Sequence, residues 1–305
     1  MLGTYQACAK SILLGDHVVV YGSPALALPI HSVGTTARVT LRTSSDEPMF
    51  ITDAALADAS MTHRLLEESA TRLGLSERLP EWRIEVSSTI PMGQGLGSSA
   101  ALGCALVGAL SKFAGLEITV EELNAHVFAL EGLVHGTPSG IDNTVVSYRA
   151  PIAYQAGESL RMVPWPSGCH IVLASSGQMG STRDAVDGVR RWKEMHPSEF
   201  DAVFDRARDA VMAGIEAFQT SDLVALGDAM DISHECLQQL GVSTPALDNL
   251  VGAARDAGAL GAKLTGAGLG GFIVALTTPG QSQSIETALG RAGAAIVIQA
   301  GEGDR

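Results

Sequence analysis

The chain has 305 residues, with 33 Asp and Glu against 20 Lys and Arg and a formal net charge of −13. That acidity argues against nonspecific nucleic-acid binding and against adhesion to an anionic membrane, and leaves room for a local basic site that takes a small anionic substrate. With 46% hydrophobic residues the chain can bury a sizeable core, which excludes intrinsic disorder, and at about 150 residues per domain its length suggests two domains.

Four cysteines, Cys8, Cys104, Cys169 and Cys236, are scattered without a C-x-x-C pair. Buried thiols are expected from that spacing, not a disulfide framework. Near the N-terminus the apolar run Ile12–Leu14 stops at Gly15, Asp16 and His17, which is not the pattern of a signal peptide. The uncharged stretch from Pro91 to Ser111 opens with glycines and serines and reads as a buried helix, not as a membrane span. A cytoplasmic protein is expected.

In chain order, the first 50 residues read as strands, and Val33–Arg42 alternates with the period of two that puts one face on a core. Ala54–Leu73 has helical composition and ends before Gly74. Trp82–Ser88 alternates again and leads into a glycine-rich turn and a helix that begins near Ser98. A second helix opens on the capping-box pattern Thr119-x-x-Glu122. The Pro/Ser/Gly break at Pro164–Gly168 suggests a boundary dividing the chain into 1–165 and 166–305. After it come a strand at His170–Ser175 and helices at Thr182–Met195, Ser198–Thr220 and Leu223–Leu240. Thr244-Pro245 then caps a further helix. The chain ends with strands at Ala262–Leu264 and Phe272–Leu276, a helix at Gln281–Arg291 and a strand at Ala294–Gln299. No repeat of 20–50 residues is present, so the expected class is α+β, with two lobes.

Two glycine loops stand out. Gly266-Ala267-Gly268-Leu269-Gly270-Gly271 matches G-x-G-x-x-G, but a strand follows it where a dinucleotide fold needs a helix. The loop Pro91-Met-Gly-Gln-Gly-Leu-Gly-Ser-Ser-Ala-Ala101 is the stronger signal. Its alternate glycines let backbone approach a ligand, and its serines lie at a helix start, where free N–H groups and the helix dipole favour phosphate. A tight turn with serine caps is the plainer alternative for the glycines alone.

This string resembles the nucleotide-binding motif of the GHMP kinases, the superfamily named for galactokinase, homoserine kinase, mevalonate kinase and phosphomevalonate kinase. Three more segments agree in order along the chain. Lys10-Ser-Ile-Leu-Leu-Gly-Asp-His-Val-Val-Val-Tyr-Gly-Ser-Pro-Ala resembles the first motif of the mevalonate kinases. His135-Gly-Thr-Pro-Ser-Gly-Ile-Asp-Asn-Thr resembles their catalytic-aspartate segment, and Lys263-Leu-Thr-Gly-Ala-Gly-Leu-Gly-Gly resembles the superfamily's third motif. The resemblance implies an α+β fold whose N-terminal lobe is like ribosomal protein S5 domain 2 and whose C-terminal lobe is ferredoxin-like, with nucleotide and acceptor between them. It implies ATP-dependent phosphorylation of the 5-hydroxyl of mevalonate, with Mg²⁺, and suggests a homodimer.

Carried over position by position, the resemblance makes Asp142 the catalytic base and Lys10 the cation beside it. Ser99 and Glu131 would hold Mg²⁺. Pro91, Gly93, Gly95, Leu96, Gly97, Ser98, Ser99 and Ala100 would line the nucleotide, and His17, with Lys10 and Asp142, would face the acceptor. Taken singly, Asp142 also reads as a turn-stabilising residue, Lys10 as a snorkelling lysine at a strand end and Glu131 as part of a solvated helix face. Apolar neighbours of Glu131, Phe128–Leu130 and Leu133–Val134, favour its burial with a cation. Three departures from the family pattern stand out. Asp16 replaces the usual Glu, which shortens its reach by about one methylene. Leu269 replaces a common glycine, and Tyr148-Arg149-Ala150 replaces an aromatic-Gly-Gly.

The remaining histidines show no zinc-site spacing, and His135 reads as structural. Ser181-Thr182-Arg183 reads equally as a helix cap or as part of the active-site rim. Two other functions stay open. One is a different small-molecule kinase or the decarboxylase of the superfamily, with phosphomevalonate and homoserine as rival kinase acceptors. The other is a sensor that binds nucleotide without catalysis, although a sensor could dispense with Lys10, Glu131 and Asp142.

Overall fold

The computed structural model describes residues 2–44, 46–47, 49–53, 59–91, 93–136 and 138–301. Residues 54–58 of the helix expected from Ala54, and two positions within the motif segments, 92 and 137, lie outside that set. Contacts gather the chain into two compact units. The first comprises Met1–Lys10, Pro29–Met92 and Leu96–Arg149, and the second Ser11–Leu28, Gly93–Gly95 and Ala150–Arg305. Two long strands, β1 (Gly3–Leu14) and β2 (Ala25–Leu41), contribute residues to both units.

In the first unit the outer half of β2 pairs antiparallel with a later strand. With β3 (Phe50–Thr52) and β4 (Trp82–Ser88) named in chain order, Thr35 of β2 lies opposite Ser88 and Leu41 opposite Trp82. β3 joins the other edge of β4 in parallel. The alternation predicted for Val33–Arg42 holds at its centre, where Thr35, Ala37 and Val39 are fully buried and Arg38 is exposed, and fails at its end, where Leu41 is exposed. Helices α1 (Ala59–Arg72), α2 (Ser98–Ala114), α3 (Val120–His135) and α4 (Ile141–Tyr148) complete this unit, with α2 packed against the other three. α2 contains most of the uncharged stretch of the sequence, and Ala100–Ser111 is buried throughout, so its apolar composition serves the core. Trp82, fully buried, meets Phe113 of α2 edge to face at 5.1 Å. The capping box of α3 forms as expected: Glu122 N–H donates to Thr119 Oγ1, and Thr119 N–H donates to Glu122 Oε2.

In the second unit, residues Ala25–Ala27 of β2 pair with β5 (Ile152–Tyr154), which pairs with β6 (Arg161–Met162). A four-stranded antiparallel sheet follows, made of β7 (His170–Ser175), β8 (Gly261–Thr265), β9 (Phe272–Thr277) and β10 (Ile296–Gly301). Its order is β10-β7-β9-β8, so the first of its strands sits between the fourth and the third. That is the ferredoxin-like arrangement. The apolar run Phe272–Leu276 lies wholly in the core, as a continuous hydrophobic strand requires. Helices α5 (Thr182–Met195), α6 (Pro197–Thr220), α7 (Leu223–Gln239) and α8 (Pro245–Asp256) precede β8, and α9 (Ser282–Arg291) joins β9 to β10. Thr244 Oγ1 caps α8 by accepting from Leu247 N–H. The class is α+β.

Two elements differ from the sequence reading. The chain between β1 and β2 is not extended. It turns at Gly15 and His17, both with positive φ, into a short 3-10 helix at Val18–Tyr21. The Ser-Gly-Ile-Asp-Asn segment, read as turn-like, opens α4, with Asp142 in its first turn. The β-branched run Thr144–Val146 hides that helix from a propensity argument. All four cysteines are buried. Among the described residues no helix is long and apolar enough to cross a membrane.

Candidate active site

In the first unit, β1 carries Lys10 into a nearly closed environment. Its ammonium lies 2.9 Å from Asp142 Oδ1 on the first turn of α4, and the two side chains are 4% and 29% exposed. Lys10 is therefore not a snorkelling lysine at a strand end, because it lies inside β1 with its charge directed at a carboxylate. Its backbone N–H donates to the Leu96 carbonyl at 3.0 Å, which ties β1 to the loop before α2. Gly97 follows with φ of 72°, and a Cβ there would stand 2.7 Å from Lys10 Cγ. Glycine at this position lets the lysine stem pass and lets the chain turn into α2. Gly97 offers no side chain as an N-cap, so the first-turn N–H groups at Ser98, Ser99 and Ala100 form a ready anion site.

Ser99 and Glu131 come together from α2 and α3. Both side chains face His135 Nε2. Burial first, and the nearby charge of Asp142 second, push the Glu131 carboxyl up to about 7, against the partial relief given by Ser99 and Lys10. His135, one turn beyond Glu131 on α3, joins this pair. Its Nε2 lies 3.1 Å from Ser99 Oγ and 3.7 Å from Glu131 Oε2. A hydroxyl beside a buried carboxylate is a set of hard oxygen donors that suits Mg²⁺. A carboxyl this reluctant to ionise alone is one that a divalent cation would stabilise as the anion. Among the described residues no group of three or more His, Cys, Asp or Glu side chains gathers as a metal site, so the oxygen pair would need ligand oxygens and water to complete its coordination.

The other predicted residues belong to the second unit. Gly93 and Gly95, both with positive φ, lie in its loop segment, and Gly95 approaches Gly266 of the third glycine loop. Gln94 accepts from the Ser175 hydroxyl at the end of β7. His17 Nε2 lies 2.7 Å from the Ala267 carbonyl, and burial holds the imidazole below its usual range despite that bond. Asp16 is fully engaged: Oδ1 accepts from Gly266 N–H at 2.7 Å, and Oδ2 pairs with Lys263. Its shorter side chain is thus long enough to hold the third glycine loop. Ser181 caps α5 by accepting from Asp184 N–H, while Thr182 and Arg183 are exposed.

Comparison with known proteins agrees with this pattern. The model of the GHMP kinases N-terminal domain matches residues 60–150, and that of the GHMP kinases C-terminal domain matches residues 215–295. The mevalonate kinase of Pyrococcus abyssi is 36% identical, over 96% of this chain and 93% of its own length. The mevalonate kinase of Methanothermobacter thermautotrophicus is 32% identical, over 95% of each chain. The crystal structure of the L. major mevalonate kinase in complex with R-mevalonate superposes with a TM-score of 0.89 at 29% identity, covering 97% of this chain and 94% of that one. The chain belongs to the mevalonate kinase family of the GHMP kinases.

Within that family two of the sequence departures keep a backbone suited to glycine. Leu269 has φ of 56° and Arg149 has φ of 55°, both in the left-handed region that favours glycine. Arg149 also gains a contact, its guanidinium donating to the Gln6 carbonyl at 2.8 Å. Residue-type reasoning read His135 as structural and Lys263 only as part of the third motif. For His135 a signal was present in the i, i+4 spacing from Glu131, which places both side chains on one face of a helix. For Lys263 there was none, because its partner Asp16 lies 247 positions away in sequence.

Proposed function

We propose that this chain transfers the γ-phosphoryl group of ATP to the 5-hydroxyl of mevalonate, with Asp142 as base. The observation that carries the reading is the ion pair between Lys10 and Asp142, set within one unit beside the Ser99–Glu131 pair and the open start of α2. Phosphoryl transfer to an alcohol needs an aligned hydroxyl, a destination for its proton and a means of offsetting phosphate charge. Asp142 accepts the hydroxyl proton as the oxygen bonds to phosphorus. Lys10 pairs with that carboxylate and lies beside the charge that develops as the hydroxyl oxygen bonds to phosphorus. The N–H groups at the start of α2, with Gly93, Gly95, Leu96 and Gly97, cradle the phosphates, and Pro91 leads into that loop. His17 contacts the acceptor. Ser99 and Glu131 would hold Mg²⁺, which when bound neutralises phosphate charge.

The cation inventory favours an unphosphorylated acceptor. A phosphorylated one brings about −1.5 to −2 extra charge, which a site meets with arginines or lysines. Here Lys10 is paired with Asp142 and Lys263 with Asp16, Arg149 donates to the Gln6 carbonyl, and Arg183, the remaining candidate, is an exposed residue of α5 outside any cluster of cations. The test is kcat/KM for mevalonate against phosphomevalonate at fixed Mg-ATP. Mevalonate should lead by about two powers of ten, or roughly 2.7 kcal/mol of transition-state binding. Equal rates, or a lead for phosphomevalonate, would overturn the acceptor and leave the kinase reading intact. The same proposal takes 1–165 as the nucleotide-binding domain and 166–305 as the second domain, in a cytoplasmic homodimer.

A further inference from the structure

Lys263 is among the largest fully buried side chains of the protein, and no step described above uses it. Its ammonium donates to Asp16 Oδ2 and to the Leu264 carbonyl, and both side chains of the ion pair are 0% exposed. Removing two charges from water costs about as much as their attraction returns, and a well-packed apolar pair is often equally stable. Stability alone is therefore a poor account of this pair. Its geometry is more informative. Lys263 sits at the centre of β8, opposite Val274 of β9, so the ammonium is presented from a rigid strand. Asp16 is held at both oxygens, by Lys263 on one side and by Gly266 N–H on the other.

The next residue is His17, which has φ of 62°, a conformation that a non-glycine residue keeps only when its surroundings enforce it. Its Nε2 lies 2.7 Å from the Ala267 carbonyl. A carbonyl can only accept, so Nε2 carries the proton, and in the neutral ring Nδ1 is left as an acceptor. The turn at residues 15–17 and the loop at 266–267 are thus fastened at two neighbouring points. The first fastening is anchored on Lys263.

We propose that Lys263 is a positioning residue for His17: by clamping Asp16 it holds the turn that fixes the tautomer and orientation of the imidazole, and so sets how tightly the hydroxy-acid acceptor binds. The link to acceptor binding rests on the reading of His17 given under Proposed function. The link to the ring itself does not.

The experiment uses the full chain labelled with ¹⁵N in its histidine rings, together with steady-state kinetics. The His17 signal is assigned by its loss in His17→Ala. In the wild type it should show a hydrogen-bonded Nε2–H. Lys263→Met, which keeps length and removes the charge, should abolish that signature and raise the acceptor KM by about tenfold or more, with the KM for ATP changing less than about twofold. Should Lys263→Met alone fail to fold, Asp16→Asn with Lys263→Met leaves no unpaired buried charge and carries the measurement. The double variant should recover melting temperature without recovering the ring signature or the acceptor KM.

An unchanged ring signature in a folded variant lacking the ammonium overturns the proposal. So does recovery of stability, signature and KM together in the double variant, which is what a purely structural pair would give. If His17→Ala leaves the acceptor KM unchanged, the acceptor role of His17 falls, and the ring signature still decides the case for Lys263.

Discussion

Lys10 Nζ stands 2.9 Å from Asp142 Oδ1, and the lysine is much the more buried partner, with a side chain 4% exposed against 29%. The pair is asymmetric in a useful way. The cation is fixed inside β1 and sealed by Gly97, whereas the carboxylate keeps an accessible edge from which a hydroxyl can be approached. A base needs that edge, because it must reach the proton it removes within hydrogen-bond distance.

Asp142→Asn keeps the shape of the side chain and its hydrogen bond to Lys10 while removing proton acceptance. Turnover should fall by about 10²–10⁴, with nucleotide affinity little changed. The charge of Asp142 is also the second cause of the raised Glu131 pKa, so the variant should lower that pKa. Single-turnover kinetics with a parallel nucleotide titration separate the effects. Near-normal turnover in the folded variant would remove Asp142 from the base role.

Much of the fold was legible because local signals and burial agree. Trp82–Ser88, His170–Ser175 and Thr182–Met195 have the bounds their periodicity and caps suggest. α4 was missed because its Thr-Val-Val run and its glycine entry look like a turn, and its packing against α2 and α3 overrides propensity. The site divides in the same way. Motif strings single out Lys10, Ser99, Glu131 and Asp142, but only the folded chain brings Glu131 close enough to Asp142 for the aspartate charge to disfavour ionisation of the glutamate. Lys263 was assigned to a loop motif, and its function depends on a partner at the other end of the chain, which no window of sequence contains.

Leu269 tests whether the third loop tolerates a side chain only at a cost. Its φ of 56° is in the left-handed region, its N–H donates to the Val242 carbonyl at 2.7 Å, and its side chain is half-buried. That conformation costs an L-residue roughly 1–2 kcal/mol. Leu269→Ala and Leu269→Gly lose the same leucine contacts, but only glycine relieves the backbone. The glycine variant should therefore be the more stable of the two by about 1 kcal/mol, the reverse of the order in an ordinary helix or strand. Urea denaturation of both gives the comparison, and an alanine variant as stable as the glycine one would rule out the strain.

Two buried groups should oppose each other in the pH dependence of stability. Burial, followed by the charge of Asp142, raises Glu131 from 4.5 to about 7. Its contribution is fully present below about pH 4.5 and is lost as pH rises through 7, because the folded state holds the extra proton. His234 on α7 behaves in the opposite sense. Burial lowers it from 6.5 to about 4, despite Asp248 Oδ1 at 3.2 Å from its Nε2. Its contribution is present above about pH 6.5 and is lost as pH falls through 4, because the unfolded state holds the extra proton. At 1.36 kcal/mol per pKa unit, each reaches about 3 kcal/mol at most. Between about pH 4.5 and 6.5 the two slopes largely cancel in the metal-free protein. Relative to wild type, Glu131→Gln should gain stability as pH rises across that window, and His234→Gln should lose it. Comparing each variant with wild type at each pH, in chelator, removes the titration of all other groups. Saturating Mg²⁺ with nucleotide should hold Glu131 ionised and shift the wild-type profile toward that of Glu131→Gln. If the three metal-free profiles run parallel, neither group carries the titration assigned to it.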